Sequence, residues 1–191
     1  MHGMFYELSP LVWGGALFGV KPISQHLRMV PDFASFRGFL VLGGNQVSSI
    51  FDHNTVTGQS QAGLWFGKTD DLWSFGKPQG WGGTWLNDAV TLNVPSDPYL
   101  MTGFDKKVLH FRAEGCDTDT TLLVEVDFTG SAGHVGKGMF TMPWSPYATL
   151  QASITSCYDF HVFPEGFSAH WVRFTITAGT TSNITTWLTY T

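Results

Sequence analysis

The sequence predicts an all-β protein, with propeller-like antiparallel strands followed by an antiparallel β-sandwich. Short runs of Val, Ile, Leu, Thr and aromatic residues recur along the chain and are separated by Gly, Pro, Asp and Asn, which is the pattern of strands joined by turns. Helical spacing of apolar residues between two caps is nearly absent. The best short helical candidate is one turn over residues 31–36.

Residues 104–191 carry the clearest strand pattern. Apolar and polar residues alternate over residues 108–112, 122–128 and 169–176, and Leu122, Val124, Val126 and Phe128 are expected to face a core. Shorter strands are predicted at residues 138–142, 147–154, 160–163 and 184–190. Strands of this length with regular turns favour an antiparallel β-sandwich.

Residues 1–103 are richer in glycine and tryptophan. Strands are predicted at residues 4–8, 26–30, 39–42, 63–67 and 72–75, with glycine-rich turns between them, including Gly80-Trp81-Gly82-Gly83. Short strands separated by glycine-rich turns are typical of propeller blades. About 100 residues hold two blades at most. Strand edges would then stay bare, so the chain could form a homo-oligomer through them.

Composition and charge exclude two classes of partner. The net charge is −5, and the densest basic dipeptide, Lys106-Lys107, is expected to cover a solvated strand edge. Nucleic acid binding needs a basic stripe, so it is excluded. No apolar run approaches the roughly 20 residues that span a bilayer.

Three stretches resemble a known group of proteins. They are residues 64–83 (LWFGKTDDLWSFGKPQGWGG), 95–107 (PSDPYLMTGFDKK) and 163–173 (FPEGFSAHWVR). These stretches resemble the C-terminal third of long, largely uncharacterised proteins of environmental bacteria and some fungi. The resemblance implies an exported β-propeller followed by a β-sandwich, with a role in carbohydrate processing. It implies no catalytic residues.

In the longer relatives, Met1 would lie inside the propeller. The resemblance therefore implies a truncated form of a longer protein. The N-terminus has no charged start followed by an apolar stretch, so no signal peptide is predicted in this chain. The protein is expected to be extracellular if a leader lies upstream, and cytoplasmic otherwise.

Polar residues of the first half form a candidate metal site. His2, His26, His53 and Gln59 lie at predicted strand ends and loops, as do Asp32, Asp52 and Gln61. In a propeller these positions converge on a central channel, where imidazoles and carboxylates could hold a divalent metal ion or take a proton from a sugar acid. The alternative is that they are solvated or cap turns.

Tryptophans form a candidate glycan site. Trp65, Trp73, Trp81 and Trp85 fall close together, and exposed rings suit the apolar faces of sugars. Trp81, between glycines, is expected to be exposed, whereas Trp65, Trp73 and Trp171 are expected to pack in the interior. The site would consist of Trp81 and Trp85, with Asp70 and Asp71 holding sugar hydroxyls.

Two further pairs of residues are candidates for a role, one as catalytic carboxylates and the other as a disulfide. Glu125 and Asp127 lie two residues apart on one strand face, roughly as far apart as paired glycosidase carboxylates. Cys116 and Cys157 sit near loop–strand junctions. If the protein is exported they could form a disulfide, which would contribute about 3–4 kcal/mol; in the cytoplasm they would stay reduced.

These patterns leave three hypotheses for function. The first is a glycan-binding portion of a polysaccharide-processing protein, with a polysaccharide or oligosaccharide as its partner. The second is a metal-assisted polysaccharide lyase or glycoside hydrolase. The third is a structural β module without catalytic activity.

Overall fold

The computed structural model describes residues 4–8, 20–26, 29–45, 62–130 and 144–191. These residues form antiparallel β-sheets and one short 3₁₀ helix, at Thr69–Ser74, so the all-β prediction is confirmed. The strands are β1 (Met4–Leu8), β2 (Val20–Gln25), β3 (Met29–Phe36), β4 (Phe39–Asn45), β5 (Ala62–Gly67), β6 (Gly80–Asp88), β7 (Tyr99–Leu100), β8 (Lys107–Ala113), β9 (Thr120–Asp127), β10 (Ser145–Ala152), β11 (Tyr158–Val162), β12 (Trp171–Ala178) and β13 (Ile184–Tyr190). The strand predicted at residues 138–142 lies outside the described residues.

The chain divides into two compact units. The first comprises Met1–Tyr6 and Ile23–Pro78, and the second comprises Glu7–Pro22 and Gln79–Thr191. Strands β1 and β2 pair with each other, and the boundary between the units passes through both. The first unit contains the sheet β3-β4-β5.

Residues 31–36 form part of strand β3 rather than a helical turn. Arg37 and Gly38 both have positive φ angles, 50° and 84°, and they join Phe36 to its partner Phe39. Such two-residue turns match the twist of a β-hairpin. Pro31 is tolerated because β3 is an edge strand of its sheet.

Residues 72–75 were predicted as a strand, but residues 69–74 form the 3₁₀ helix. The Asp71 carboxylate accepts a hydrogen bond of 2.7 Å from the Lys68 N–H and so closes the first turn. Leu72 is buried, whereas Trp73 is 48% exposed, so the prediction that Trp73 packs in the interior is wrong. Trp65 packs edge-on against Phe75, with ring centroids 5.1 Å apart.

The second unit holds two four-stranded sheets in a sandwich-like arrangement. Sheet A has the order β10-β9-β12-β7, and sheet B has the order β11-β8-β13-β6. Trp85 of sheet B packs against Phe174 of sheet A, and the Tyr190 hydroxyl donates a 2.9 Å hydrogen bond to the Leu100 carbonyl. Fully buried residues from both sheets form the core: Leu109, Phe111, Leu122, Val124, Val172, Phe174, Ile176, Ile184 and Leu188. Phe128, expected in this core, is exposed at the end of β9.

Strand β6 is the first strand of these two sheets in chain order. It lies within residues 1–103, which the sequence predicts to be propeller-like. Residues 80–83, which the glycines mark as a turn, open strand β6 instead. A Cβ atom at Gly83 would collide with the Thr186 carbonyl of β13, so the glycine is required for the close approach of the two strands.

Lys107 is buried, contrary to the expected solvated edge. Its Nζ donates to the carbonyls of Phe104, at 2.6 Å, and Phe167, at 3.0 Å. Burial lowers the pKa of the Lys107 ammonium, and the nearby Asp105 carboxylate opposes that shift. The lysine therefore satisfies two loop carbonyls instead of covering an edge.

A disulfide joins Cys116 and Cys157, whose Cα atoms are 5.7 Å apart. Cys116 lies three residues after the end of β8, and Cys157 directly precedes β11. The Ala113 N–H also donates to the Cys157 carbonyl at 2.9 Å. Both links hold the start of β11 against the end of β8.

Replacing both cysteines by serine should lower the free energy of unfolding by about 3–4 kcal/mol, because the bond closes a long loop of the unfolded chain. Urea unfolding of the double variant and of the wild type measures the difference. Reductant should destabilise the wild type equally and leave the variant unchanged, since the chain has no other cysteine. Equal stability of the two proteins would contradict the assignment.

Candidate functional site

The candidate metal residues lie mostly outside the described part of the chain. His2, Asp52, His53, Gln59 and Gln61 are outside it. His26 packs against the Phe5 ring at 4.9 Å, and the Asp32 carboxylate accepts a hydrogen bond from the Phe33 N–H at 2.8 Å. Among the described residues, no three or more His, Cys, Asp or Glu side chains are arranged to hold a metal ion. The divalent metal ion therefore stays a prediction.

The four predicted glycan-binding residues are divided between the two units. Asp70 and Asp71 belong to the 3₁₀ helix of the first unit, while Trp81 and Trp85 belong to β6 of the second. Trp81 is 68% exposed, as expected. Trp85 packs against Phe174, with ring centroids 6.4 Å apart, so its ring contacts the core.

Glu125 and Asp127 both interact with groups of the protein itself. Glu125 accepts two hydrogen bonds from the Arg173 guanidinium, at 2.8 and 3.1 Å, and that guanidinium lies 4.5 Å from the Trp144 ring centroid. Asp127 is buried and accepts hydrogen bonds from the backbone and hydroxyl of Thr129. These contacts give both carboxylates structural roles.

The outward side of sheet B carries a group of ring side chains, which we call the aromatic face. Residues of β8 and β13 alternate between buried and more exposed positions, so one set points to the core and the other outward. On the edge strand β11, Tyr158 and Phe160 are exposed. The aromatic face consists of Trp81, His110, Tyr158, Phe160 and Trp187.

Strand register sets the arrangement of these rings. Phe160, His110 and Trp187 are directly paired across β11, β8 and β13, so they form one cross-strand row. Trp81 pairs with Thr189, two residues further along β13 than Trp187. Trp81 therefore lies on the edge strand β6, in the cross-strand row next to the row of Phe160, His110 and Trp187.

Contacts among the rings fix their orientation. The His110 Nδ1 and the Tyr158 hydroxyl are 2.8 Å apart and share a hydrogen bond. The Tyr158 ring lies within about 22° of parallel to both His110 and Phe160, with centroids 6.2 Å away in each case. The three side chains therefore support one another on the sheet surface.

His161 packs on the inward side of β11. Its ring meets Phe163 edge-on at 4.9 Å, and its Nε2 lies 3.3 Å from the Tyr147 hydroxyl. Burial lowers the pKa of His161, and the Asp159 carboxylate opposes that shift. Burial therefore favours the neutral form of the imidazole that lies beneath the strand presenting Tyr158 and Phe160.

The outward residues described on β8, β11 and β13 carry little formal charge. Arg112 is the one arginine or lysine among the outward residues described on β8, β11 and β13, and it pairs with Glu114 at 3.1 Å. Apart from the rings, the remaining outward residues described on these three strands are apolar or carry hydroxyls: Val108, Val162, Thr185 and Thr189. This surface therefore offers rings and hydroxyls with one compensated ion pair.

The sequence contains a signal for these residues that composition alone does not reveal. Tyr158 and Phe160 alternate with Asp159 and His161, and Trp187 alternates with buried Thr186 and Leu188. Aromatic residues at the outward positions of an alternating strand mark an exposed ring surface. Pairing between distant strands, which brings these rings together, is set by tertiary structure.

A second apolar surface belongs to the first unit. Phe36, Phe39, Leu64 and Phe66 share one face of the sheet β3-β4-β5 and are all exposed. Val41, at the centre of that face, is buried. Asp32, which pairs with Gly43 in the same row as Leu64, lies at one end of this face.

The chain matches no protein-family model, no curated protein sequence and no solved structure. In the described residues, no helix has the length and apolar character needed to cross a membrane.

Acidification below about pH 6.5 should lower the free energy of unfolding. Burial lowers the pKa of His161 and also of His170, where Asp127 and a backbone hydrogen bond with Val20 oppose the shift. An unfolded histidine keeps its ordinary value of 6.5. As pH falls through 6.5 the unfolded chain binds more protons than the folded one, so stability decreases until the lower folded pKa is reached.

Urea unfolding at about pH 7.5 and pH 5.5 checks this expectation, since that window lies on both sides of the ordinary histidine pKa. The variants His161→Phe and His170→Phe should each show a smaller loss of stability between the two values. An unchanged loss in the double variant would show that other groups cause it.

Proposed function

We propose that the second unit is a glycan-binding module and that the aromatic face is its binding surface. The observation that carries this proposal is the exposure of Trp81 and Phe160, 68% and 54%, on a surface that also carries His110, Tyr158 and Trp187. Exposed apolar side chains that are grouped on one surface are a common feature of interaction and ligand-binding sites.

Ring side chains suit sugars for a physical reason. A pyranose has apolar C–H groups on its faces and hydroxyls around its rim. A Trp or Tyr ring covers the face, while its N–H or O–H can bond the rim. Thr185, Thr189 and the His110–Tyr158 pair place further donors and acceptors among the rings.

The rings are held by rigid elements, which reduces the entropy lost on binding. Four hydrogen-bonded strands carry them, and the disulfide fixes the start of β11. The close approach at Gly83 holds β6, and with it Trp81, against β13. A surface ordered in this way binds without first having to fold.

The resemblance to long propeller–sandwich proteins supports a place for this module in polysaccharide processing. We propose that the first unit is part of a propeller, since β3, β4 and β5 form the consecutive antiparallel strands from which a blade is built. An exported location fits this proposal, because disulfides persist in oxidising compartments. The metal-assisted lyase or hydrolase stays a prediction.

A structural role is the second candidate, and the apolar surface of the first unit favours it. Phe36, Phe39, Leu64 and Phe66 would lose contact with water if another chain covered them. Among the described strands, β3 lies at the edge of its sheet, where a further strand could extend the sheet. Sedimentation of the purified protein tests this role, since self-association would depend on concentration and decrease on Phe66→Asp.

Substituting Trp81→Ala should weaken glycan binding by about tenfold or more, which corresponds to roughly 1.4 kcal/mol. The loss follows from removal of a ring that a sugar face would cover. Tryptophan fluorescence of the purified chain, titrated with neutral and acidic polysaccharides, measures the affinity.

Trp73→Ala is the matched control, because Trp73 is exposed but belongs to the first unit. It should bind as the wild type does. No saturable response to any polysaccharide would refute the proposed function. An equal loss of glycan affinity in Trp81→Ala and Trp73→Ala would show that the aromatic face is not the binding site.

A further inference from the structure

We infer that the ligand of the aromatic face is an uncharged, extended, β-1,4-linked glycan that crosses the strands of sheet B over Phe160, His110 and Trp187. This inference rests on the proposed function and specifies its substrate class. It follows from strand register, from the balance of charge on the face and from the twist of the sheet.

Register gives the spacing between stacking rings. Phe160 and Trp187 occupy the same cross-strand row, with His110 between them. Neighbouring strands lie about 4.8 Å apart, so the two outer positions are separated by about 10 Å. This matches the length of the disaccharide repeat in an extended β-1,4-linked glycan. Sugars one repeat apart present the same face, so one chain could stack on both residues.

The type of glycosidic linkage follows from the same cross-strand row of Phe160, His110 and Trp187. Equatorial β-1,4 links keep a glycan extended, so a chain that leaves Trp187 reaches Phe160 without bending away from the sheet. The α-1,4 links of amylose curl the chain into a helix. An α-linked chain would therefore stack on one of these rings and lose the other.

Charge decides between neutral and acidic glycans. Uronic acid or sulfated chains need cations that are free to pair with them. Arg112 is the one outward arginine or lysine described on β8, β11 and β13, and Glu114 pairs with it at 3.1 Å. The Glu114 carboxylate offsets the charge of Arg112, so the outward residues of these strands offer an acidic chain no net positive charge, whereas a neutral chain needs none.

Sheet twist favours a single chain over a crystalline surface. Neighbouring strands rotate by about 20–25°, so β11 and β6 differ in direction by roughly 60–75°. From this twist we expect Trp81, on β6, and Phe160, on β11, to face different directions. A single flexible glycan chain can follow this twist. The flat surface of a polysaccharide crystal is rigid and would contact only some of the rings.

Isothermal titration with oligosaccharides of increasing length tests the inference. Cellulose and mannan fragments from the disaccharide to the hexasaccharide should bind with affinity that rises by about tenfold or more across the series, because the longer fragments reach both rings. Maltohexaose, which is α-linked, should bind no better than cellobiose. Polymannuronate fragments, which are acidic but β-1,4-linked, should bind more weakly than neutral β-1,4-linked fragments of equal length.

Phe160→Ala should weaken hexasaccharide binding by about tenfold, because a long fragment then loses one of its two stacking rings, and the rise of affinity with length should disappear. Phe128→Ala is the matched control, because Phe128 is an exposed phenylalanine of the same unit at the end of β9. It should bind every fragment as the wild type does. Thermal unfolding of each variant confirms that it is folded.

The outcomes separate this inference from the proposed function. Binding that is independent of length, equal for maltohexaose and cellohexaose, or tighter for polymannuronate would overturn the substrate class while glycan binding itself stands. Retention on crystalline cellulose without binding of soluble fragments would overturn the single-chain inference. Absence of binding to every glycan would overturn the proposed function and this inference with it.

Discussion

The antiparallel pairing of β11, β8, β13 and β6 is the constraint on which the rest of the second unit depends. Successive side chains of a strand point to opposite sides, so one register sends Leu109, Phe111 and Leu188 into the core and the ring residues outward. A shift of one residue would exchange these sets. The core and the aromatic face are therefore two consequences of one set of strand pairings.

Three local features keep that register. Gly83 allows β6 to approach the Thr186 carbonyl, the disulfide ties β11 to the end of β8, and Lys107 satisfies two loop carbonyls at the start of β8. Each acts at a different strand. A glycine cluster, a cysteine pair and a buried lysine look unrelated in the sequence. Together they determine where the rings of the aromatic face lie.

Alternation within a strand could be predicted from the sequence, and pairing between strands could not. The bounds of β1 and β13 and the burial of Leu122 and Val124 follow from local patterns. Strand β6 was missed because its glycines indicate a turn until Thr186 is known to lie beside them. The same limit applies to the site: Trp81 was expected to be exposed, but its neighbours on the surface come from β8, β11 and β13, far along the chain.

The most direct measurement of the central claim is the side-chain N–H spectrum of the eight tryptophans in the ¹⁵N-labelled protein, titrated with cellohexaose and then with the other soluble glycans. Binding at the aromatic face predicts that the indole signals of Trp81 and Trp187 shift together and saturate, while those of Trp73 and Trp65 stay in place. Shifts confined to tryptophans outside sheet B, or no shift with any glycan, would contradict the account.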